Sequence, residues 1–175
     1  TAARMEERRL GVRSHHALFS FLLDAVSDDE AVEMAQVVDL GPPPVRIKAV
    51  NLFVQDTRMD SATYRIGFRG FDGERTTGPV VDRSIVRRVA LSEGWERLDL
   101  SGKKLALAGK VVVDVEVLPD PRGVPRNMSV GIRLGGGEPG FVRRSTFATW
   151  DQMPHRWSIN VSALVPIDRK EDAPE

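Results

Sequence analysis

Between Phe141 and Trp157 the chain gathers residue types suited to holding a sugar. Trp150 and Trp157 flank a loop that contains His155 and Arg156, and Arg143 and Arg144 stand just before it. An exposed indole offers a flat face to a pyranose ring, and forked guanidinium donors beside it suit hydroxyl or carboxylate oxygens. Trp150, Arg143, Arg144 and Trp157 are therefore the ligand-binding candidates. A structural reading competes at both tryptophans. Trp157 leads an alternating apolar run and so belongs to a core. Phe141, Phe147 and Trp150 lie close enough in sequence to pack on one another, in which case Trp150→Ala is expected to cost the ~3–5 kcal/mol of a buried large aromatic.

Other constellations are weaker. Asp114 and Glu116 lie two apart on one strand face, so their carboxylates project together, ~7 Å apart, within reach of two-carboxylate glycoside chemistry. The competing reading is the polar face of an otherwise apolar strand, with Arg97 as cross-sheet partner. His15, His16 and His155 match no zinc spacing, and adjacent His15 and His16 point to opposite faces of a strand. Ser145, Asp151 and His155 make a triad on paper, but no G-x-S-x-G elbow accompanies them. Gly135-Gly136-Gly137 lacks the Lys-Ser/Thr of a phosphate loop and reads as a hinge or tight corner. The sequence contains no cysteine, which removes thiol catalysis, Cys-based zinc sites and disulfides. No catalytic residue, cofactor or metal site is expected, and the chain reads as a non-enzyme.

Composition narrows the partners. The 25 basic and 25 acidic residues balance to zero formal charge, without the basic excess that meets nucleic-acid phosphates. No apolar run approaches the ~20 residues of a membrane-spanning helix. The longest, from Ala17 to Val26, is interrupted by Ser20 and Asp24. No stretch reads as a signal peptide, and a start at Thr1 without methionine leaves room for an upstream segment.

The elements that must position these side chains are strands. Tyr64, Ile66 and Phe68 alternate with Arg65, Gly67 and Arg69, and Asp72-Gly73 then supplies a hairpin turn. Val111, Val113, Val115 and Val117 oppose Val112, Asp114, Glu116 and Leu118. Met128, Val130, Ile132 and Leu134 alternate with Ser129, Gly131 and Arg133. Trp157, Ile159, Val161 and Ala163 alternate with Ser158, Asn160 and Ser162. Further strands are expected over His16–Leu23, Val45–Gln55, Ser84–Leu91 (Ile85, Val89 and Leu91 on one face), Trp95–Leu100 and Phe141–Ser145. Within Val45–Gln55 the apolar parity changes, which predicts a bulge or burial of both faces. Residues 28–38 carry conflicting signals. Ser27 and Glu30 form a capping box ahead of helically spaced apolar residues, whereas the β character downstream makes Met34–Leu40 a strand, the preferred reading. Gly41-Pro42-Pro43-Pro44 and Gly78-Pro79 are breaks. The sum is an all-β, antiparallel two-sheet sandwich of jelly-roll type. It has about nine or ten strands and at most one short helix, spans residues 14–167, and follows a charged arm or linker over 1–13 and precedes a polar tail over 168–175.

Several of these pieces together resemble the C-terminal β-sandwich of bacterial surface proteins that carry a carboxypeptidase-regulatory-like domain. They are Leu10-Gly11, Tyr64-Arg65-Ile66, Gly78-Pro79, Gly94-Trp95 with Leu98-Asp99-Leu100-Ser101, Val115-Glu116-Val117-Leu118, Gly135-Gly136-Gly137, Phe141-Val142-Arg143 and Trp150. The Gly-Trp and Asp-Leu-Ser piece is the most specific, and the resemblance runs from Leu10 to Val165. It implies a jelly-roll-like fold on an exported protein of the cell envelope or extracellular space, without a defined catalytic activity. The function expected is an accessory or adhesion module, the alternative a carbohydrate-binding module. The partner is then a glycan or another cell-surface protein.

Overall fold

The computed structural model describes residues 4–25, 32–74, 76–123, 125–145 and 148–167. Its elements are β1 (Met5–Gly11), β2 (Ser20–Ala25), β3 (Glu33–Asp39), β4 (Val45–Thr57), β5 (Ala62–Phe71), β6 (Thr76–Arg88), β7 (Gly94–Asp99), a 3-10 turn at Ser101–Lys103, β8 (Ala106–Leu107), β9 (Lys110–Val117), β10 (Arg126–Arg133), β11 (Gly140–Arg143), β12 (Asp151–Gln152), β13 (Arg156–Trp157) and β14 (Ile159–Pro166). No α-helix occurs among the described residues. The strand count exceeds the nine or ten expected because β8, β12 and β13 are two-residue pairings that carry no periodicity, and because β1 was not anticipated.

All strand pairings are antiparallel. In the first sheet the 13-residue β4 is the spine. It meets β14 and then β10 along one flank and β7 and β8 along the other, with β1 outside β14 and β2 outside β10. The second sheet runs β12-β11-β3-β9-β5-β6. Period-two alternation turns one face of each sheet inward. The shared core holds Val50, Leu52 and Val54 of β4, Tyr64, Ile66 and Phe68 of β5, Val111, Val113, Val115 and Val117 of β9, and Trp157, Ile159, Val161 and Ala163. The parity change in β4 is a bulge. Ser162 pairs with Ala49 and Ala163 with Ile47, so Lys48 is the extra residue that moves the inward set from Val45 and Ile47 to Val50, Leu52 and Val54.

Several expectations are corrected. The charged stretch read as an arm is β1, paired with β14 along its full length from Met5↔Pro166 to Gly11↔Asn160. An edge strand needs apolar cover on few positions, and only Leu10 packs on the core, so its charges hide a strand that the backbone pairing makes. The segment His16–Leu23 becomes a strand only at Ser20, and it leaves Leu18, Phe19 and Leu22 exposed. In β6 the inward residues are Ser84 and Val86. Ile85 and Val89 face solvent, because β6 is a sheet edge. Gly78-Pro79 does not end a strand but falls in the register break between Phe68↔Asp82 and Gly70↔Thr77. Leu134 is exposed beyond the end of β10. The strand reading of Met34–Leu40 corresponds to β3, while the capping box at 27–30 and the tail at 168–175 lie outside the described residues.

Candidate functional site on the outer face of the second sheet

Strand alternation sends a second set of side chains to the outer face of the second sheet, and that set is charged. Register places Glu33 of β3 directly opposite Glu116 of β9, Glu116 opposite Arg65 of β5, and Arg143 of β11 opposite Glu33. The result is a row Arg143–Glu33–Glu116–Arg65 across four strands. Arg143 Nε donates to Glu33 Oε2 at 2.7 Å and Arg65 Nε to Glu116 Oε2 at 2.6 Å. One step along the strands, Arg69 Nε donates to Asp114 Oδ2 at 2.8 Å. Glu33, Asp114, Glu116 and Arg143 are all buried. Like charges opposite one another repel, so Glu33 and Glu116 are tolerable only because each has its own guanidinium. Burial pushes the Asp114 carboxyl above its ordinary range, against the opposing pull of the Arg69 hydrogen bond. Glu33 Oε1 is buried with no hydrogen-bond partner.

Between these strands Gly67 is required by space. A Cβ there would stand 2.4 Å from Asp114 Oδ1, which Arg69 holds in place. The carboxylates therefore pair with Arg65 and Arg69 of the neighbouring strand and not with Arg97. Arg97 lies on β7 in the other sheet, where it donates to Glu7 at 2.7 Å and to Ser162 Oγ at 3.0 Å. Proximity across one ladder decided the pairing, and sequence offered no measure of which sheet each arginine joins.

Trp150 caps this lattice. It packs on a small apolar cluster of Ala35, Val37, Val112 and Phe141 on the same outer face. Its ring lies 4.5 Å from the Arg143 guanidinium carbon and 5.9 Å from that of Arg69. Trp150 thus bridges arginines of β11 and β5, with β3 and β9 between them. The indole stays half-buried and walls an open cavity of about 350 Å³, lined by Glu74, Thr76, Phe141, Thr149, Trp150 and Gln152. That volume sits at the small end of ligand-binding clefts. The Trp150 face, with carboxylate, amide and hydroxyl groups around it, can stack on an apolar ring face and hydrogen-bond its polar edge.

The four sequence candidates separate. Trp150 lines the cavity. Arg143 lies beneath the Trp150 ring, committed to Glu33. Arg144 is exposed, just past β11. Trp157 has no surface to offer a ligand: it is fully buried, its indole N–H donates to Phe141 O at 2.8 Å, and its backbone N–H donates to Gln36 Oε1 at 2.9 Å. Phe141 packs near Trp150 as the aromatic spacing suggested, and Phe147 lies outside the described residues. Glu74, Thr76 and Gln152 were missed. Glu74 comes from the turn between β5 and β6 and Thr76 opens β6, and nothing local marks either as a neighbour of Trp150.

The remaining constellations disperse. His155 lies edge-on to Trp157 at 5.2 Å, and Ser145 Oγ accepts the Ala148 N–H. No hydrogen bond joins Ser145, Asp151 and His155 among the described residues. His15 stacks on Phe53 in the other sheet at 3.7 Å. The glycine run is a corner: Gly135 and Gly137 have φ of 95° and 136°, and a Cβ on Gly137 would lie 2.5 Å from Arg156 Nη1. Among the described residues no group of three or more His, Asp or Glu is arranged to hold a metal ion, and no helix is long and apolar enough to cross a membrane.

No family model matches the chain, and neither does any curated protein. Solved structures do. The cysteine protease and lectin-like domains of Cwp84, a surface layer associated protein of Clostridium difficile, align over 90% of this chain with a TM-score of 0.63 and 11% identity. The clostridial cysteine protease Cwp84 after propeptide cleavage aligns equally well. This chain covers 36% and 40% of those two chains, less than half of each. At that identity the likeness shows a shared β-sandwich fold.

Proposed function

We propose that this chain is a non-catalytic recognition module of an exported cell-envelope protein, of the accessory or adhesion kind, and that it holds a saccharide in the cavity beside Trp150. The observation that carries the reading is the half-buried indole, fixed by two paired arginines on the sheet face and open to a cavity with polar groups around it. A sugar ring stacks on such a face, and Glu74, Gln152, Thr76 and Thr149 offer partners for its hydroxyls. The aligned Cwp84 chain carries a lectin-like domain beside a cysteine protease domain. A chain without cysteine supplies no protease nucleophile, so the lectin-like part is the apt counterpart. The surface setting of Cwp84 and the resemblance to carboxypeptidase-regulatory-like surface proteins both favour a cell-envelope location.

Intrinsic tryptophan fluorescence during titration with a glycan panel tests this. A saccharide that shifts the emission of the intact chain, with the shift and the binding lost in Trp150→Ala, is the expected result. Because the ring is only half-buried, that variant is expected to lose about 2 kcal/mol, less than a fully buried aromatic. Binding that survives in Trp150→Ala, or no binding across the panel, overturns the reading.

A further inference from the structure

The second sheet ends in a long strand with one flank unpaired. Among the described residues β6 is hydrogen-bonded to β5 alone, and its regular register runs from Asp82 to Arg88. Edge strands in natural proteins are blunted by charges, prolines or short length. β12 at the opposite edge is two residues long, β1 of the first sheet is charged, and Pro79 with the register break interrupts the first half of β6. The second half keeps a regular register without proline or bulge, and the charges that guard its outward face, Arg83 and Arg87, are of one sign. Its outward side chains, one every second residue, are Val81, Arg83, Ile85 and Arg87, and Val89 follows just past the strand; Val81, Ile85 and Val89 are 60%, 67% and 77% exposed. Arg83 and Arg87 are exposed and make no ion pair among the described residues. The acids near them, Asp114 and Asp120, are already held by Arg69 and Arg122.

We propose that the free flank of β6 takes an extended segment of a partner protein as an added strand, and that this segment has the pattern acidic–x–apolar–x–acidic. The acidic side chains stand opposite Arg83 and Arg87 and the apolar one opposite Ile85, since directly opposed cross-strand pairs set the preference. The pattern is symmetric about Ile85, so the segment fits in either direction. A second copy of this chain is the poorer occupant. Antiparallel self-pairing about Ile85 sets Arg83 of one copy against Arg87 of the other, which is repulsive, and the Asp82–Arg88 pairs of the same register offset this little because Glu96 already holds Arg88. The surface is separate from the saccharide cavity and stands or falls without it.

The test uses the full chain and two labelled synthetic peptides, Ser-Glu-Thr-Val-Thr-Glu-Ser and its counterpart with lysine for glutamate, read by fluorescence anisotropy and amide hydrogen exchange. The acidic peptide is expected to bind about tenfold or more tightly than the basic one and to slow exchange at amides between Val81 and Val89. The double variant Arg83→Glu/Arg87→Glu changes only exposed side chains, keeps the melting temperature, and is expected to reverse the preference. Equal affinity for both peptides, no binding of either, or slowed exchange elsewhere overturns the proposal. So does sedimentation that shows the chain dimerising through the same amides.

Discussion

The two sheets bury polar side chains on their outer faces in different ways. On the first sheet the buried groups are neutral. Asn51 Nδ2 donates to Asn160 Oδ1 at 2.8 Å and to Ser162 Oγ at 3.0 Å, Asn160 Nδ2 to Val12 O at 3.0 Å, and Ser158 Oγ to Ser14 O at 2.9 Å. The segment after β1 folds over this face, and its carbonyls complete the network. On the second sheet the buried groups are ionic, their cover is the Trp150 ring, and Glu33 Oε1 is left over. A buried amide or hydroxyl left without a bond costs about 1–3 kcal/mol, whereas a buried charge left without its partner costs about 3–5 kcal/mol. The first face is therefore a finished seam. The second is a tensioned platform whose arginines position a ring beside a cavity.

The comparison is sharpest on β9, which sends Val113 to the shared core and Val112 to the outer face, both fully buried. Val112→Asp and Val113→Asp are each expected to cost several kcal/mol out of a total of roughly 5–15 kcal/mol, the largest effects named here. Urea denaturation would show it, and a mild effect at Val112 alone would mean that the outer face is wet. Next in size is Arg69→Met, which strands Asp114 and is expected to cost about 3–5 kcal/mol. Adding Asp114→Val should recover most of that loss, because removing both charges removes the penalty. In the neutral seam Asn51→Ala is expected to cost about 1–3 kcal/mol. If it costs more than Arg69→Met, the contrast between the two faces collapses.

The smallest expected effect comes from His155, whose Nε2 is buried without a partner between the rings of Phe21 and Trp157. Burial lowers its pKa below the usual 6.5 by disfavouring the charged form. The folded chain then takes up the proton less readily than the unfolded chain. The stability associated with neutral His155 is intact above about pH 6.5 and is lost as the pH falls from there through the lowered folded value. Melting temperatures recorded across that window should fall more steeply for the intact chain than for His155→Gln, and parallel curves would show that His155 contributes nothing to the pH dependence.

Alternation was enough to read the inward faces of β5, β9, β10 and β14, and the parity change between Ile47 and Val50 narrowed β4 to a bulge or burial of both faces. These are local properties: a side chain's direction along a strand follows from its position parity whatever the strand pairs with. The aromatic and arginine content around Trp150 was visible for the same reason. What alternation lacks is any term for the neighbour. Whether Met5–Gly11 is an arm or a strand depends on β14, more than 140 residues away in sequence. Whether Ile85 is buried depends on no strand lying beyond β6. Whether Asp114 finds Arg69 or Arg97 depends on which sheet each arginine joins, and whether Trp150 caps a lattice or points to solvent depends on β3, β9 and β5 lying side by side beneath it. Sequence by itself determined an all-β chain and the inward side of its main strands. The order of strands in each sheet, settled only when distant segments paired, decided which outward residues are buried, which charges meet and where the cavity opens.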